Sequence, residues 1–365
     1  MFLFITHRTY DKRKIKKAGI DQLLSFLSKK EKCLLIEHPI ESDYPFSKLK
    51  EIYKNKEILL KRKKKIISQR LTEFVFNLSQ TFIFRPKIII SVNAFNTFSV
   101  IFLKLINRNT KIYFFIADYS ENRFNQKIFD LIYKILFKIS LKFSDKIFVV
   151  SKRIYKFLAP SFEKKLIWLP NSPHFKLIPK ISPNQKNKFS LVFSAGRLTQ
   201  RVNLAGLFKT IKILQKKFPT IELNLIGKTN KEVYDLIKAF EIENQVKIYD
   251  FLNHKEALKI ISLSYIGLSW YSRKVSHLFW GDSLKIREYA AAGLPIVTDG
   301  LTSTAQEMVK FKAGFIITTS QEMAEKITQL IENKKLYLKI RKNALSWAEN
   351  MDKEKILTSL TPLFD

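Results

Sequence analysis

The residues best equipped for chemistry stand in one run, Trp280-Gly-Asp-Ser-Leu-Lys-Ile-Arg-Glu-Tyr-Ala-Ala-Ala-Gly-Leu-Pro-Ile-Val-Thr298. Asp282 or Ser283 can cap a helix start, Leu284 to Ala292 are good helix formers, and Gly293-Leu-Pro ends the helix before a buried strand, Ile296-Val-Thr. A helix start offers unpaired N–H groups and the positive end of the helix dipole, a ready site for a phosphate, and Lys285 adds a full charge there. Glu288 follows about one and a half turns along. A carboxylate at that depth repels phosphate but can accept hydrogen bonds from a ribose diol.

Two further sets of polar residues stand where strands end. Ser190-Leu-Val-Phe-Ser reads as a strand running into Ala195-Gly-Arg-Leu198, so Gly196 permits a tight turn and Arg197 leaves the strand end, with Arg201 the next cation. Lys111-Ile-Tyr-Phe-Phe-Ile-Ala reads as another strand, with Asp118-Tyr-Ser-Glu-Asn-Arg-Phe124 behind it. Loops at the carboxyl ends of parallel strands are where open α/β sheets carry functional groups. Asp118 can contact a substrate there or cap the next helix.

The elements needed to position these groups are legible as short apolar runs alternating with helical segments. Residues 2–5, 33–37, 86–91 and 111–117 read as strands, with helices at 20–27, 71–84 and 95–106, the pattern of a parallel sheet covered by helices. Ile128 to Phe143 has its polar positions Asp130, Lys134, Lys138 and Lys142 every four residues, which leaves most of the helix circumference apolar. It fits either a helix packed between neighbours or a face on a bilayer with lysines at the headgroups. Prolines at 170, 173, 179 and 183 mark a link to a second domain that begins near residue 190. Further strands are expected at 221–227, 246–252 and 266–270.

These runs together resemble the retaining group 1 (family 4) glycosyltransferases, from about residue 85 onward and most closely over 190–300. Ser283-Leu-Lys-Ile-Arg-Glu-Tyr289 with Gly293-Leu-Pro-Ile-Val matches the family's donor segment in its nucleotide half, whereas the first motif glutamate is Trp280 here. Ala195-Gly-Arg-Leu198 is similar to the Gly-Arg-Leu element, Asp118-Tyr-Ser-x-x-Arg-Phe124 to a segment of one sub-group, and Trp347 to a late tryptophan of a terminal helix. The resemblance implies an α/β fold with two Rossmann-like domains facing across a cleft (GT-B type). It implies an acceptor-binding domain over 1–178, a linker at 179–189, a nucleotide-sugar domain over 190–345, and a helix over 346–365 crossing back. It assigns donor contacts to Gly196, Arg197, Arg201, Phe251 (in place of the usual glycine), Asp282, Ser283, Leu284, Lys285 and Glu288, and catalysis to Arg197, Glu288 and Asp118.

Composition bounds the reading. A 365-residue chain with 46% hydrophobic and 13% aromatic residues suffices for two cores, so a folded chain is expected. Its net charge of +33 is uneven: residues 1–180 hold 37 basic and 14 acidic side chains, residues 181–365 hold 28 and 18. That favours an anionic partner, either a membrane surface, an acidic lipid-linked substrate or nucleic acid, without choosing among them, and Lys61-Arg-Lys-Lys-Lys65 is the densest run. The single Cys33 permits no disulfide within the chain and suits a reducing compartment. The histidines at 7, 38, 174, 254 and 277 are scattered, with no metal-ligand spacing, Walker loop or Gly-x-Gly-x-x-Gly. Met1–Ile5 is too short for a secretory signal, and Ile88 to Ile106 is too interrupted to span a membrane.

The expectation is therefore a metal-independent transferase with no cofactor beyond its nucleotide-sugar co-substrate. It acts on a glycan or lipid-linked acceptor, in the cytoplasm at the inner face of the cell membrane. A nucleotide-sugar 2-epimerase of the same architecture and a non-catalytic basic protein binding membrane or nucleic acid are the alternatives.

Overall fold

The computed structural model describes residues 1–8, 19–39, 46–52, 57–61, 66–199, 201–250 and 252–365. It divides into two compact units, Met1–Pro170 with Leu360–Asp365, and Asn171–Ser359.

The first unit runs β1 (Phe2–Arg8), α1 (Ile20–Leu27), β2 (Cys33–Pro39), β3 (Phe46–Glu51), β4 (Glu57–Lys61), α2 (Ile66–Phe84), β5 (Ile88–Val92), α3 (Ala94–Ile101), β6 (Lys111–Ile116), α4 (Lys127–Phe143), β7 (Lys146–Val149), α5 (Lys152–Phe162) and β8 (Leu166–Trp168). Its sheet has the order β4-β3-β2-β1-β5-β6-β7-β8, with β3 alone running against the other strands. The parallel strands are near-continuous apolar runs because both faces are covered: Phe2 to Ile5 and Ile88 to Ile90 are all buried. The β3–β4 pair was not anticipated, since Phe46-Ser-Lys-Leu-Lys-Glu51 alternates weakly and carries lysines. Those lysines are neutralised across the strands, with Lys50 3.2 Å and Lys48 3.9 Å from Glu37. The last six residues close this unit: the Phe364 ring stands 6.1 Å from Phe2 and 5.9 Å from Tyr113, whose hydroxyl donates to Leu363 O at 2.6 Å.

The second unit runs β9 (Ser190–Arg197), α6 (Leu204–Lys217), β10 (Glu222–Lys228), α7 (Lys231–Ala239), β11 (Val246–Tyr249), α8 (His254–Leu263), β12 (Ile266–Ser269), α9 (His277–Trp280), α10 (Leu284–Ala291), β13 (Ile296–Thr298), α11 (Ser303–Lys310), β14 (Gly314–Ile316), α12 (Ser320–Glu332), α13 (Lys334–Glu349) and α14 (Lys353–Ser359). Its six strands are parallel in the order β11-β10-β9-β12-β13-β14, so the winding reverses between β9 and β12. The segment expected as a linker is fastened to this unit. The buried Lys186 ammonium donates to Ser262 O, Ser264 O and Ala292 O at 2.5, 3.0 and 3.3 Å, capping the carboxyl ends of α8 and α10. Trp347 is likewise buried in the second unit, stacked on Phe311 at 5.9 Å, and only residues 360–365 join the first.

Candidate functional site

Open parallel sheets bind ligands outside the carboxyl ends of the strands where the winding reverses. In the second unit that place lies above β9 and β12, and α10 begins there. Two close packings hold the helix. Tyr289 lies flat under β12 because residue 267 is glycine: a Cβ there would stand 2.5 Å from the Tyr289 ring. The Tyr289 hydroxyl accepts the Ser194 N–H of β9 at 2.8 Å. The helix stops at Gly293, whose φ of 66° suits the left-handed turn, with Gly293 N–H bonded to Ala290 O and Leu294 N–H to Tyr289 O.

The start of α10 is set by Ser283, but its side chain makes no cap. The Ser283 hydroxyl is 2.8 Å from the Tyr271 hydroxyl and its N–H donates to Thr304 Oγ1 at 2.7 Å. The first-turn N–H groups, which no helix satisfies internally, therefore receive no bond from the capping residue. Lys285 stands at this end with its ammonium 5.0 Å from the Phe193 ring centroid of β9 and 4.5 Å from that of Tyr271, a cation held against two aromatic faces. Burial pushes its pKa down to about 8, against the opposing pull of Asp299 and Glu288.

Arg197 and Gly196 are exposed at the end of β9, and no atom lies within 4 Å of a Cβ placed on Gly196. Lys228 is the register partner of Arg197 at the end of β10, a cation the sequence reading did not single out. Arg201, also exposed, lies between β9 and α6, beside the segment that follows β12: its carbonyl accepts the Ser272 N–H at 3.0 Å, and Val202 bridges to Tyr271. Phe251 lies outside the described residues. Leu284 is the half-buried first residue of α10.

Glu288 is buried on α10, with Oε1 2.5 Å from His254 Nε2 at the start of α8. Sequence inspection had no means of finding that pair, since the residues are 34 positions apart and His254 stands in no motif. Asp282 does not cap α10, whose capping position is Ser283. Its side chain is fully buried and accepts Arg287 Nη1 at 2.6 Å, Thr304 Oγ1 at 2.8 Å and the Asn171 N–H at 2.6 Å. Arg287, itself buried, also donates to Glu307 Oε1 at 3.1 Å and Asn171 O at 3.0 Å. The acid thus ties the start of the unit to α10 and α11.

Asp118, in the first unit, follows β6 and is partly exposed, 2.8 Å from Arg123 Nη1. It does not cap α4, whose first turn receives no side-chain cap; Asp130 within the helix instead accepts the N–H groups of Phe124 and Gln126 at 2.9 and 3.2 Å, fixing the loop that enters it. Among the described residues no group of three His, Cys, Asp or Glu side chains gathers as metal ligands would.

Two Rossmann-like units with parallel sheets define the GT-B class of fold, and solved structures agree. The chain superposes over its full length on the Anabaena protein HepE in complex with UDP, covering 99% of that chain with a TM-score of 0.73 at 16% identity. It does so equally on sucrose-phosphate synthase of Thermosynechococcus elongatus, covering 98% of that chain at TM-score 0.72 and 12% identity. Within that class, residues 177–347 match the family model of glycosyl transferases group 1. An uncharacterized glycosyltransferase of Haemophilus influenzae is 27% identical over 207 residues, 53% of this chain and 56% of that relative, so the match spans little more than half its length. The likeness to group 1 glycosyl transferases is thus carried by residues 177–347, and the full-length likeness is one of fold.

Proposed function

We propose that the protein transfers a sugar from a nucleotide-diphosphate sugar to a glycan or lipid-linked acceptor, with retention of configuration, at the cytoplasmic face of the cell membrane. The observation that carries this reading is the uncapped start of α10 with Lys285 beside it, in the unit whose β9 ends in Gly196 and Arg197. Helix N–H groups, Lys285 and Arg197 would hold the diphosphate, with Arg201 as a further cation and Glu288 on the ribose. The sugar C1–oxygen bond to the diphosphate breaks as the acceptor oxygen bonds to C1. The acceptor proton passes to the departing phosphate oxygen, so no protein base is demanded. Charge grows on the diphosphate as it leaves, and fixed cations and N–H dipoles lower the barrier there, a role that requires no resident metal. Asp118 would contact the acceptor or the donor sugar.

A thermal-shift series with nucleoside diphosphates and their sugars tests the clamp, because a ligand bound only by the folded state raises its midpoint. One nucleotide should stabilise the wild type, and Arg197→Ala should remove most of that shift. No shift with any nucleotide would sink the reading. Isomerisation of the donor sugar without acceptor would convert it to a 2-epimerase.

A further inference from the structure

Helices α2 and α3 of the first unit bury many polar side chains beside their core residues Phe76 and Val100, and leave large apolar ones outside. On α2 the polar Gln69, Glu73, Asn77, Gln80 and Thr81 are buried, whereas Ile67, Leu71 and Val75 are 64, 63 and 62% exposed. The neighbouring α3 does so in part: Asn96, Thr97 and Ser99 are buried, Phe95 and Phe98 are half-buried, and Phe102 just past its end is exposed. The buried polar face is satisfied by bonds at the carboxyl ends of β1 and β2. His7 Nδ1 is 2.9 Å from Asn96 Nδ2, His7 Nε2 is 3.0 Å from Glu73 Oε2, and His38 Nε2 is 2.8 Å from Asn77 Oδ1. The outer apolar faces join through Phe74, whose ring lies 6.5, 6.0 and 6.1 Å from those of Phe95, Phe98 and Phe102.

Beyond α3 lies α4, fastened by Ser140 Oγ to Ala94 O at 3.1 Å. It exposes Ile128 at 68% and Ile135 at 49%, with Leu131 and Ile132 between them. Around these stand Lys127, Lys134, Lys138 and Lys142, all exposed. The acids of the three helices are Glu73 and Asp130, and both are buried. An apolar surface spread over three helices exceeds what a solvated face carries, and its charged fringe is wholly cationic.

We propose that the outer face of α2, α3 and α4 docks on an anionic lipid bilayer, with the helices lying in the headgroup layer. Among the described residues no helix is long and apolar enough to cross a membrane, so the mode is interfacial. Lysine stems lie along the apolar surface while their ammonium groups reach lipid phosphates. A broad exposed apolar face fringed by lysines is the combination that an interfacial helix presents to an anionic bilayer. The inference deepens the membrane part of the function proposed above, and its test is independent of the transferase reading.

The full chain is sedimented with vesicles of phosphatidylcholine alone or mixed with phosphatidylglycerol. Wild type should pellet with the anionic vesicles, and Leu71→Glu with Ile132→Glu should lower the partition coefficient at least about tenfold. Lys134→Glu with Lys138→Glu should lower it too, and added salt should weaken wild-type binding. The replaced apolar side chains are exposed, so the Leu71/Ile132 variant should unfold no earlier than wild type, which separates lost docking from lost folding. Tryptophan at position 75 (Val75→Trp) should shift its emission to the blue only with anionic vesicles. Variants that pellet like wild type would overturn the proposal. So would wild type that stays in the supernatant, or that self-associates through this face as a dimer dispersed by Leu71→Glu. Failure of the nucleotide shift above would leave vesicle binding intact and count only against the transferase.

Discussion

An ammonium held against two aromatic rings in a part-buried site titrates where an ordinary lysine does not. Lys285 is pushed down to about 8 by burial, so it is charged at pH 7 and mostly neutral at pH 9. A nucleotide-diphosphate sugar has no phosphate that titrates across that window, so affinity for it should fall as pH rises from 7 to 9, by about tenfold when one charged contact is lost. Titration calorimetry checks this: Lys285→Arg, which stays charged, should flatten the profile, and a wild-type profile that is already flat would remove Lys285 from the clamp. At this scale the sequence singled out Ser283, Lys285, Glu288 and Arg197 as candidates because each sits beside a helix start or strand end marked by glycine or proline. It did not disclose His254 against Glu288 or Lys228 beside Arg197, because those pairings depend on which elements pack together. Asp282 misled for a related reason. Its spacing before α10 is that of a cap, and only the buried Arg287 and Asn171 redirect it.

Elements keep their places in the second unit through a small number of buried polar ties. The Asp282–Arg287 pair joins the segment at Asn171 to α10, and Arg287 reaches Glu307 on α11. Removing one partner of a buried pair leaves the other charge uncompensated, so Asp282→Ala should destabilise the protein by about 3–5 kcal/mol. Urea unfolding measures it, and a loss below about 1 kcal/mol would mean that solvent or Glu307 compensates Arg287. The strands were legible because burial on both faces makes them uninterrupted apolar runs, and α10 because of its glycine stop. The β3–β4 pair was not, since an edge hairpin is half solvated and its lysines read as loop. Helices α2 and α3 defeat pattern reading in another way: periodicity finds the two faces of an amphipathic helix but does not say which one turns inward.

The molecule as a whole carries a net charge of +33, and part of that excess sits in places where charge is costly. Burial, with Arg341 adding to it, lowers the Lys186 pKa to about 7. Burial also brings Lys353 to about 7, where Asp282 favours and Arg287 opposes its charge. Unfolded, both lysines would titrate near their ordinary value of about 10.4. Between pH 7 and that value the unfolded chain binds more protons than the folded one, so stability must rise with pH and is lost as pH falls through 7. Lys285 acts in the same direction, and declining self-repulsion adds to it. The thiol of Cys33, pushed up to about 12 by burial, acts the opposite way only above its ordinary value, which confines the clean window to pH 7–9. Each buried lysine contributes at most on the order of 2 kcal/mol across that window. The thermal midpoint at pH 9 should therefore exceed that at pH 7 by at least about 4 °C. Replacing both by methionine (Lys186→Met, Lys353→Met) should remove most of the rise while leaving the part due to net charge. A midpoint that stays level or falls from pH 7 to 9 in the wild type would mean that water or a carboxylate reaches these ammonium groups and keeps them charged inside the fold.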